Sequence, residues 1–478
     1  MKAVTLSAGV CVLVGAIWIR THELSQPLTD VHHVRQSDTA SIARNMVRSG
    51  IDLWHPKIDW VGPAPQTVES EFPLYNAILA SVWSKQTLQT TTANTHARAV
   101  TITLWVALML VTARLTQRIN PNYTLFGLIF MAFSPLGVVF SRTVQPDVLA
   151  VLLMMLAYER IDHAIRKTDA TRWLSFVTAA ICSALAIAVK GTTLFFFLGI
   201  LFFSWKRCSQ RERGAVGILA LASIALAGGW YYHAHINLGD SGASFNIWRL
   251  EEKWGGFTPW FTPHVWLKLF EVLFFCILTP FGALCSYLAV AKLRKNKGLA
   301  PIAGGILGGL LAVVMVTDGF FQHEYYWLPI TPFISILFAA GCVKLIEASP
   351  SNMVRALVLL ALLGSFWRGK VYVIDAQRRD VRVELAGEFV RTTVPENQAV
   401  VIYDTHPQSV LYQADRRGWC RSQLDWKELK AFLEDGGRFI AVLTSQPLSV
   451  EQWKSKLSVE DLEVHHGPIG YILDTLPK

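Results

Sequence analysis

The chain has 478 residues, of which 52% are hydrophobic and only 17% charged, and its formal net charge is +9. Soluble chains carry about 25% charged residues, so this composition, with a mean hydropathy of +0.35, argues against a soluble enzyme and calls for a bilayer as solvent. The lysines and arginines fall in short loops between apolar runs, which is the pattern of membrane topology and not the basic face of a nucleic-acid binder.

The first apolar run follows Lys2 and reaches Ile19. No cleavage site of the A-x-A kind follows it, so it reads as an uncleaved first transmembrane helix. About eleven runs have spanning length, near 2–19, 97–113, 122–141, 145–160, 172–189, 191–205, 214–233, 266–291, 299–316, 325–346 and 353–368. With the N-terminus in the cytoplasm, the cytoplasmic loops collect Arg114 and Arg118, Arg160 to Arg172, Lys206 to Arg213, Lys292 to Lys297, and Lys344 with Arg355. The opposite short loops are nearly free of Lys and Arg, which satisfies the positive-inside rule and places the tail outside. The fold class expected is therefore a polytopic α-helical membrane domain over 1–368, followed by a small extracytoplasmic domain over 369–478. Most of the seven cysteines lie inside apolar runs, and no Cys or Cys/His spacing points to a metal site.

The outer segment 20–96 is far too long for a simple connection. It carries Asp30-Val-His-His-Val-Arg35-Gln-Ser-Asp38-Thr-Ala-Ser-Ile42-Ala-Arg44. A helix from Ser37 onward would place Asp38 in its first turn, where the dipole favours a carboxylate, and put Ile42 and Asn45 on the same face. The plain alternative is a helix-capping aspartate in a solvated loop. Glu71-Phe-Pro-Leu-Tyr75 comes next, read either as a second acidic element or as a charged loop before an interfacial helix. At an outer boundary, Ser141-Arg142-Thr-Val-Gln-Pro-Asp147 brings an arginine and an aspartate to either side of a turn, though interface arginines often only snorkel.

Lys190-Gly191 lies between two apolar runs, where a lysine faces a cavity or a structural partner charge. The outer segment 234–265 is rich in Trp and Phe, including Trp248, Trp254 and Trp260, whose faces suit the C–H faces of sugars. Then His323-Glu324-Tyr325-Tyr326-Trp-Leu-Pro329 tops a late span. Its aromatics are ordinary belt residues, but an adjacent His-Glu is less so. In the tail, strand-like runs at 399–403 and 439–443 alternate with amphipathic helical stretches such as 426–433, which reads as a small α/β domain.

All these polar clusters fall on one side of the membrane. Together they suit an anionic substrate held at the bilayer, with carboxylates to take a proton and Lys, Arg, His and Tyr to hold a phosphate. These motifs, in this order and topology, resemble the GT-C class of lipid-phosphate-sugar-dependent glycosyltransferases, and within it the protein O-mannosyltransferases and the lipid A aminoarabinose transferases. The resemblance covers about the first 350 residues. It rests on Ile42-Ala-Arg44-Asn-Met46, Glu71 to Tyr75, Arg142 to Asp147, Lys190-Gly191 and Tyr325 to Pro329.

The resemblance implies a GT-C fold, a polyprenyl-phosphate-linked sugar as donor, and hexosyl or pentosyl transfer to an acceptor hydroxyl of a glycan, lipid or protein. It also implies inversion, with an acidic residue of the first outer loop as general base. Many relatives have adjacent Asp-Glu at that position, whereas Arg35 and Gln36 stand there in this chain. Asp38 is the favoured base and Asp30 the alternative. Glu71, Asp147 and Glu324 are further carboxylates for the acceptor, and Arg35, Arg142, Lys190, His323, Tyr325 and Tyr326 are donor-phosphate candidates. The reaction's logic requires no cofactor; a divalent metal, which some of the wider class use, would look to Asp38, Glu71 and Asp147. The location implied is a bacterial inner membrane with its active face in the periplasm. A flippase for lipid-linked sugars and a glycan-binding membrane protein are the rival readings, but no paired repeat with midplane acids is visible.

Overall fold

The computed structural model describes residues 2–89, 91–167, 171–239, 242–245, 256–293, 299–348, 351–435, 437–443 and 449–475. The chain forms two compact units, both discontinuous in sequence. The first comprises 1–24, 98–232 and 247–377, and the second comprises 25–97, 233–246 and 378–478. The boundary expected near 368/369 falls inside the helix Asn352–Ala376, and the long first outer segment clusters with the tail.

The first unit is helical. Helices overlie every apolar run read from the sequence, but two of them are not continuous. The run at 122–141 breaks into Thr124–Phe133 and Pro135–Phe140, because Pro135 has no N–H to continue the first helix. The run at 266–291 passes through a π-helical turn, Val272–Ile277, and bends by 97°. Among the described residues, five helices are long and apolar enough to cross a membrane, or six if the bent pair counts as one span. Shorter apolar helices lie at Ser7–Arg20, Pro121–Phe133, Thr193–Trp205 and Ala300–Met315. The expected count of about eleven spans is therefore not reached by length and composition alone.

Small residues set one helix pair within this unit. A Cβ added at Gly304 would lie 2.2 Å from the Gly199 carbonyl oxygen, and one at Gly308 would lie 2.3 Å from that of Phe195. Thr193–Trp205 and Ala300–Met315 thus pack backbone against backbone, the small-xxx-small contact expected where lipid removes the hydrophobic drive for helix association. Arg20, at the end of Lys2–Arg20, is fully buried. Its Nε donates to Ser141 Oγ at 2.5 Å, and its Nη1 donates to the carbonyls of Ala16 and Ala132, each at 2.8 Å.

The second unit is built on a six-stranded mixed sheet. Its strands are β2 (Val61–Gly62), β4 (Ala399–Tyr403), β5 (Arg417–Arg421), β6 (Phe439–Val442), β7 (Glu463–Gly467) and β8 (Gly470–Asp474), in the order β2-β5-β4-β6-β8-β7. Strands β5, β4 and β6 are parallel, and the outer pairings are antiparallel. Two further short strands, β1 (Lys57–Ile58) and β3 (Gln66–Thr67), pair with each other. Strand β4 alternates its sides strictly. Val400 and Ile402 join a core with Val383, Val390, Val410 and Leu411, while Val401 and Tyr403 join one with Leu429, Phe432 and Trp453. Asp380, Asp425 and Ser449 cap the helices that cover the sheet, each cap contributing about 1 kcal/mol. The pairing of β2 with β5 matches Val61 to Trp419 and so makes the first outer segment part of the tail's sheet.

A Gly304→Val variant should lower the thermal unfolding midpoint of detergent-purified protein, since overpacking costs about 1–3 kcal/mol even where the neighbour is a yielding side chain. Gly228→Ala, with nothing within 4 Å of its new Cβ, should keep or raise the midpoint, since a helix interior favours Ala over Gly. Equal behaviour of the two variants would contradict the close helix contact.

Candidate active site

The second unit holds the first acidic cluster. Its helix runs His33–Ser49 and is buried from Gln36 to Met46. It starts four residues earlier than the sequence suggests, after His32 in the left-handed region at φ 50°. Asp38 is therefore in the second turn, where the dipole no longer supplies much, although Ile42 and Asn45 still share its face. Asp38 is buried, and Trp60 Nε1 donates to its Oδ1 at 3.0 Å. Its Oδ2 accepts no hydrogen bond among the described residues. Burial pushes the Asp38 carboxyl up to about 7; Arg35 and the Trp60 hydrogen bond oppose the rise, and Glu71 adds to it. A carboxylate so placed is a proton acceptor near neutral pH.

Asp30 is buried too, but both of its oxygens are engaged, by Gln26 Nε2 at 3.1 Å and by Gln36 Nε2 at 2.5 Å. Arg35 pairs with Glu71 at 2.9 Å and lies 4.9 Å over the Phe245 ring. These two residues, expected to hold a phosphate and an acceptor, hold each other in this structure.

Asp59 escaped sequence reasoning. It stands alone in an unremarkable stretch, yet it is buried and accepts from Ser41 Oγ at 2.7 Å, Arg44 Nη2 at 2.9 Å and Asn45 Nδ2 at 2.9 Å. Arg44 also reaches Asp415 at 2.8 Å and lies 4.4 Å over the Tyr412 ring. Burial opposes the Arg44 charge, but Asp415 and Asp59 more than offset that and raise its pKa above the ordinary value. The one available signal was indirect: a polar face of Ser41, Arg44 and Asn45 on a helix that also carries Ile42 and Met46.

The first unit gathers a second cluster. Lys190 follows the last turn of Thr171–Val189, and Asp147 opens Asp147–Arg166. Each charge therefore suits its own helix end. Both are buried, with Nζ 3.1 Å from Oδ1. Lys190 Nζ also sits 4.8 Å over the Tyr325 ring and 4.4 Å over that of Tyr326. His323 stacks on Tyr325 with centroids 5.2 Å apart. Asp147 Oδ2 is buried without a hydrogen-bond partner among the described residues, and a buried unsatisfied carboxylate oxygen marks a place for a donor.

The remaining candidates are more scattered. Arg142 is buried in the turn between Pro135–Phe140 and Asp147–Arg166, where its Nη2 donates to the Glu23 carbonyl at 3.3 Å. Glu324 lies within electrostatic reach of Cys276 and Tyr372. Trp260 donates its Nε1–H to Thr317 Oγ1 at 3.1 Å and meets Trp266 edge to face. Trp248 and Trp254 lie outside the described residues.

This architecture is shared with solved membrane glycosyltransferases. ArnT from Cupriavidus metallidurans, bound to undecaprenyl phosphate, is similar with a TM-score of 0.64 at 12% identity, covering 98% of each chain. The oligosaccharyltransferase AglB from Archaeoglobus fulgidus, in complex with an inhibitory peptide and a dolichol-phosphate, gives 0.60 at 12% identity over 92% of this chain and 69% of its own. The arabinofuranosyltransferase AftD from Mycobacteria gives 0.62 at 12% identity over 100% of this chain and 40% of its own. Residues 75–229 match the family described as dolichyl-phosphate-mannose-protein mannosyltransferase. By sequence, no curated protein matches the chain. The chain thus has the GT-C fold that its motifs resemble, in a multi-pass membrane protein.

Asp59→Ala should destabilise the folded chain by about 1–3 kcal/mol, because it takes one of two carboxylates from the buried Arg44 and unpairs Ser41 and Asn45. The drop would be read from thermal unfolding in detergent, and an unchanged midpoint would show that Asp415 alone satisfies the guanidinium.

Proposed function

We propose that the chain is a glycosyltransferase that moves a sugar from a polyprenyl-phosphate donor to an acceptor hydroxyl at the periplasmic face of a bacterial inner membrane. The observation that carries this reading is a fold shared along essentially the whole of both chains with ArnT, a protein solved with undecaprenyl phosphate bound. The side chains supply matching chemistry in each unit.

In the second unit, Asp38 is the general base. Its free Oδ2 takes the acceptor's hydroxyl proton, and the freed oxygen attacks the anomeric carbon. The new C–O bond forms as the bond from that carbon to the phosphate oxygen breaks, so polyprenyl phosphate leaves and the configuration inverts. In the first unit, Lys190, with Tyr325, Tyr326 and His323 around it, offers a cation of the kind that holds a phosphate. Asp147 pairs with Lys190 and so orients its ammonium. Trp260 serves the sugar only through the indole face left beside its hydrogen bond to Thr317.

Support for Asp38 over Asp30 comes from saturation. Asp30 already spends both oxygens on glutamine amides, whereas Asp38 keeps one. Release of polyprenyl phosphate from a panel of polyprenyl-phosphate sugars, with an envelope extract as acceptor source, tests the assignment. Asp38→Asn should lower kcat/KM by about 10²–10⁴-fold, the range of general-base contributions, while correctly folded Asp30→Asn keeps turnover. Because the base acts deprotonated, wild-type kcat/KM should fall as pH drops through about 7, the value to which burial raises Asp38. Full turnover in Asp38→Asn would remove Asp38 from the chemistry. Donor binding without release by the wild type, with acceptor present, would favour a transporter or a receptor.

A further inference from the structure

Beyond that reading, the second unit contains a cluster of metal-ligating side chains that the transferase chemistry does not use. His33, Asp380 and His406 come from three separate elements. His33 opens His33–Ser49, Asp380 is the N-cap of Val381–Thr393, and His406 precedes Pro407–Ala414. One ligand atom from each lies within 4.8 Å of the other two. His33 Nε2 is 3.9 Å from Asp380 Oδ2, and the two imidazoles meet edge to face with centroids 4.6 Å apart.

The atoms that would not bind a metal are already occupied, in each case so as to orient the one that would. His33 Nδ1 is 2.8 Å from Ser409 Oγ, which leaves Nε2 to face Asp380. His406 Nδ1 is 3.3 Å from Thr405 Oγ1, which leaves its Nε2. Asp380 Oδ1 accepts the Val383 backbone N–H at 3.1 Å, which leaves Oδ2. Metal-ligating histidines characteristically hold their second ring nitrogen in this way, which fixes tautomer and ring orientation.

We propose that His33, His406 and Asp380 bind one divalent zinc ion, with water as fourth ligand, and that the ion fixes the start of the helix that carries Asp38. Two imidazoles and a carboxylate are a set that zinc accepts. Its bonds of about 2.0–2.1 Å set tetrahedral ligand atoms roughly 3.3 Å apart, so the site closes by small side-chain rotations. The other grouping of this kind among the described residues, Glu463, His465 and Asp474, is a poor rival. Arg438 takes both Asp474 oxygens, at 2.5 and 2.9 Å.

The test is zinc content of full-length protein purified without a polyhistidine tag, stripped with chelator, reloaded with Zn2+ alone and desalted. Wild type and His465→Ala should each retain one zinc per chain, and reloading should raise their thermal unfolding midpoints. His406→Gln and Asp380→Asn, which keep side-chain size and the Asp380 cap, should retain none and show no rise. Ser409→Ala should weaken zinc affinity by about 10–100-fold, the usual effect of losing an outer partner. Co2+ in place of zinc should give the visible absorption of a four-coordinate ion in wild type and not in His406→Gln. No retained zinc in wild type, or wild-type retention in His406→Gln, would overturn the assignment. All these readouts are independent of turnover, so failure of the transferase reading would leave this one standing.

Discussion

The second unit depends on solving one problem, the burial of a polar helix. His33–Ser49 carries Asp38, Ser41, Arg44 and Asn45 on surface that water does not reach. A charge moved out of water costs several kcal/mol unless its hydrogen bonds are replaced. Arg44 is the centre of the replacement: it binds Asp59 from the outer segment and Asp415 from the tail, and stacks on Tyr412. Because Asp59 also takes Ser41 and Asn45, the helix has one register and one rotation in which its polar groups are paired. Asp38 is placed as a consequence, held by partners three to seven residues away.

Buried charge is handled in two distinct ways, and the difference separates scaffold from site. In the Arg44 network both oxygens of Asp59 are used, and Asp30 is likewise filled by two glutamines. A carboxylate with both oxygens already accepting hydrogen bonds has less left to offer a substrate. Asp38 retains one oxygen, and Asp147, though paired with Lys190, leaves Oδ2 without a partner among the described residues. A buried acceptor left unsatisfied costs free energy in a folded protein, so Asp147 Oδ2 calls for an explanation that the filled carboxylates do not.

Legibility in the sequence follows the range of the interaction. Membrane helices and the strands Ala399–Tyr403 and Phe439–Val442 fall where apolar runs place them, because length and side-chain alternation are local properties. The break at Pro135 was also local, hidden only by the hydrophobicity on both sides. By contrast, β2 is two residues long and pairs with a strand more than three hundred positions away, so no periodicity could announce it. Asp59 is invisible for the same reason: its partners on the helix are 14 to 18 positions away and Asp415 comes from the tail. His33, Asp380 and His406 share no spacing because they meet only through the sheet and its covering helices. The early helix start needed the left-handed backbone at His32, a conformation that residue type alone does not demand.

The departure from the resembled acidic pair becomes coherent on this helix. Where many relatives have Asp-Glu, this chain has Arg35 and Gln36. Each of these donors holds a carboxylate, Arg35 that of Glu71, 36 positions on, and Gln36 that of Asp30, six positions before. Negative charge is therefore retained around the two positions, but on partners that are already hydrogen-bonded. Asp38 lies three residues beyond Arg35, one turn along the same face, and its Oδ2 accepts no hydrogen bond among the described residues. An arginine at the resembled position then tunes its neighbour. Removing Arg35 would take away the main opposing charge and push the Asp38 carboxyl further up, whereas removing Glu71 would let it fall. Where the resemblance leads one to expect an acid, this helix carries an arginine whose charge lowers the carboxyl of an acid one turn further on.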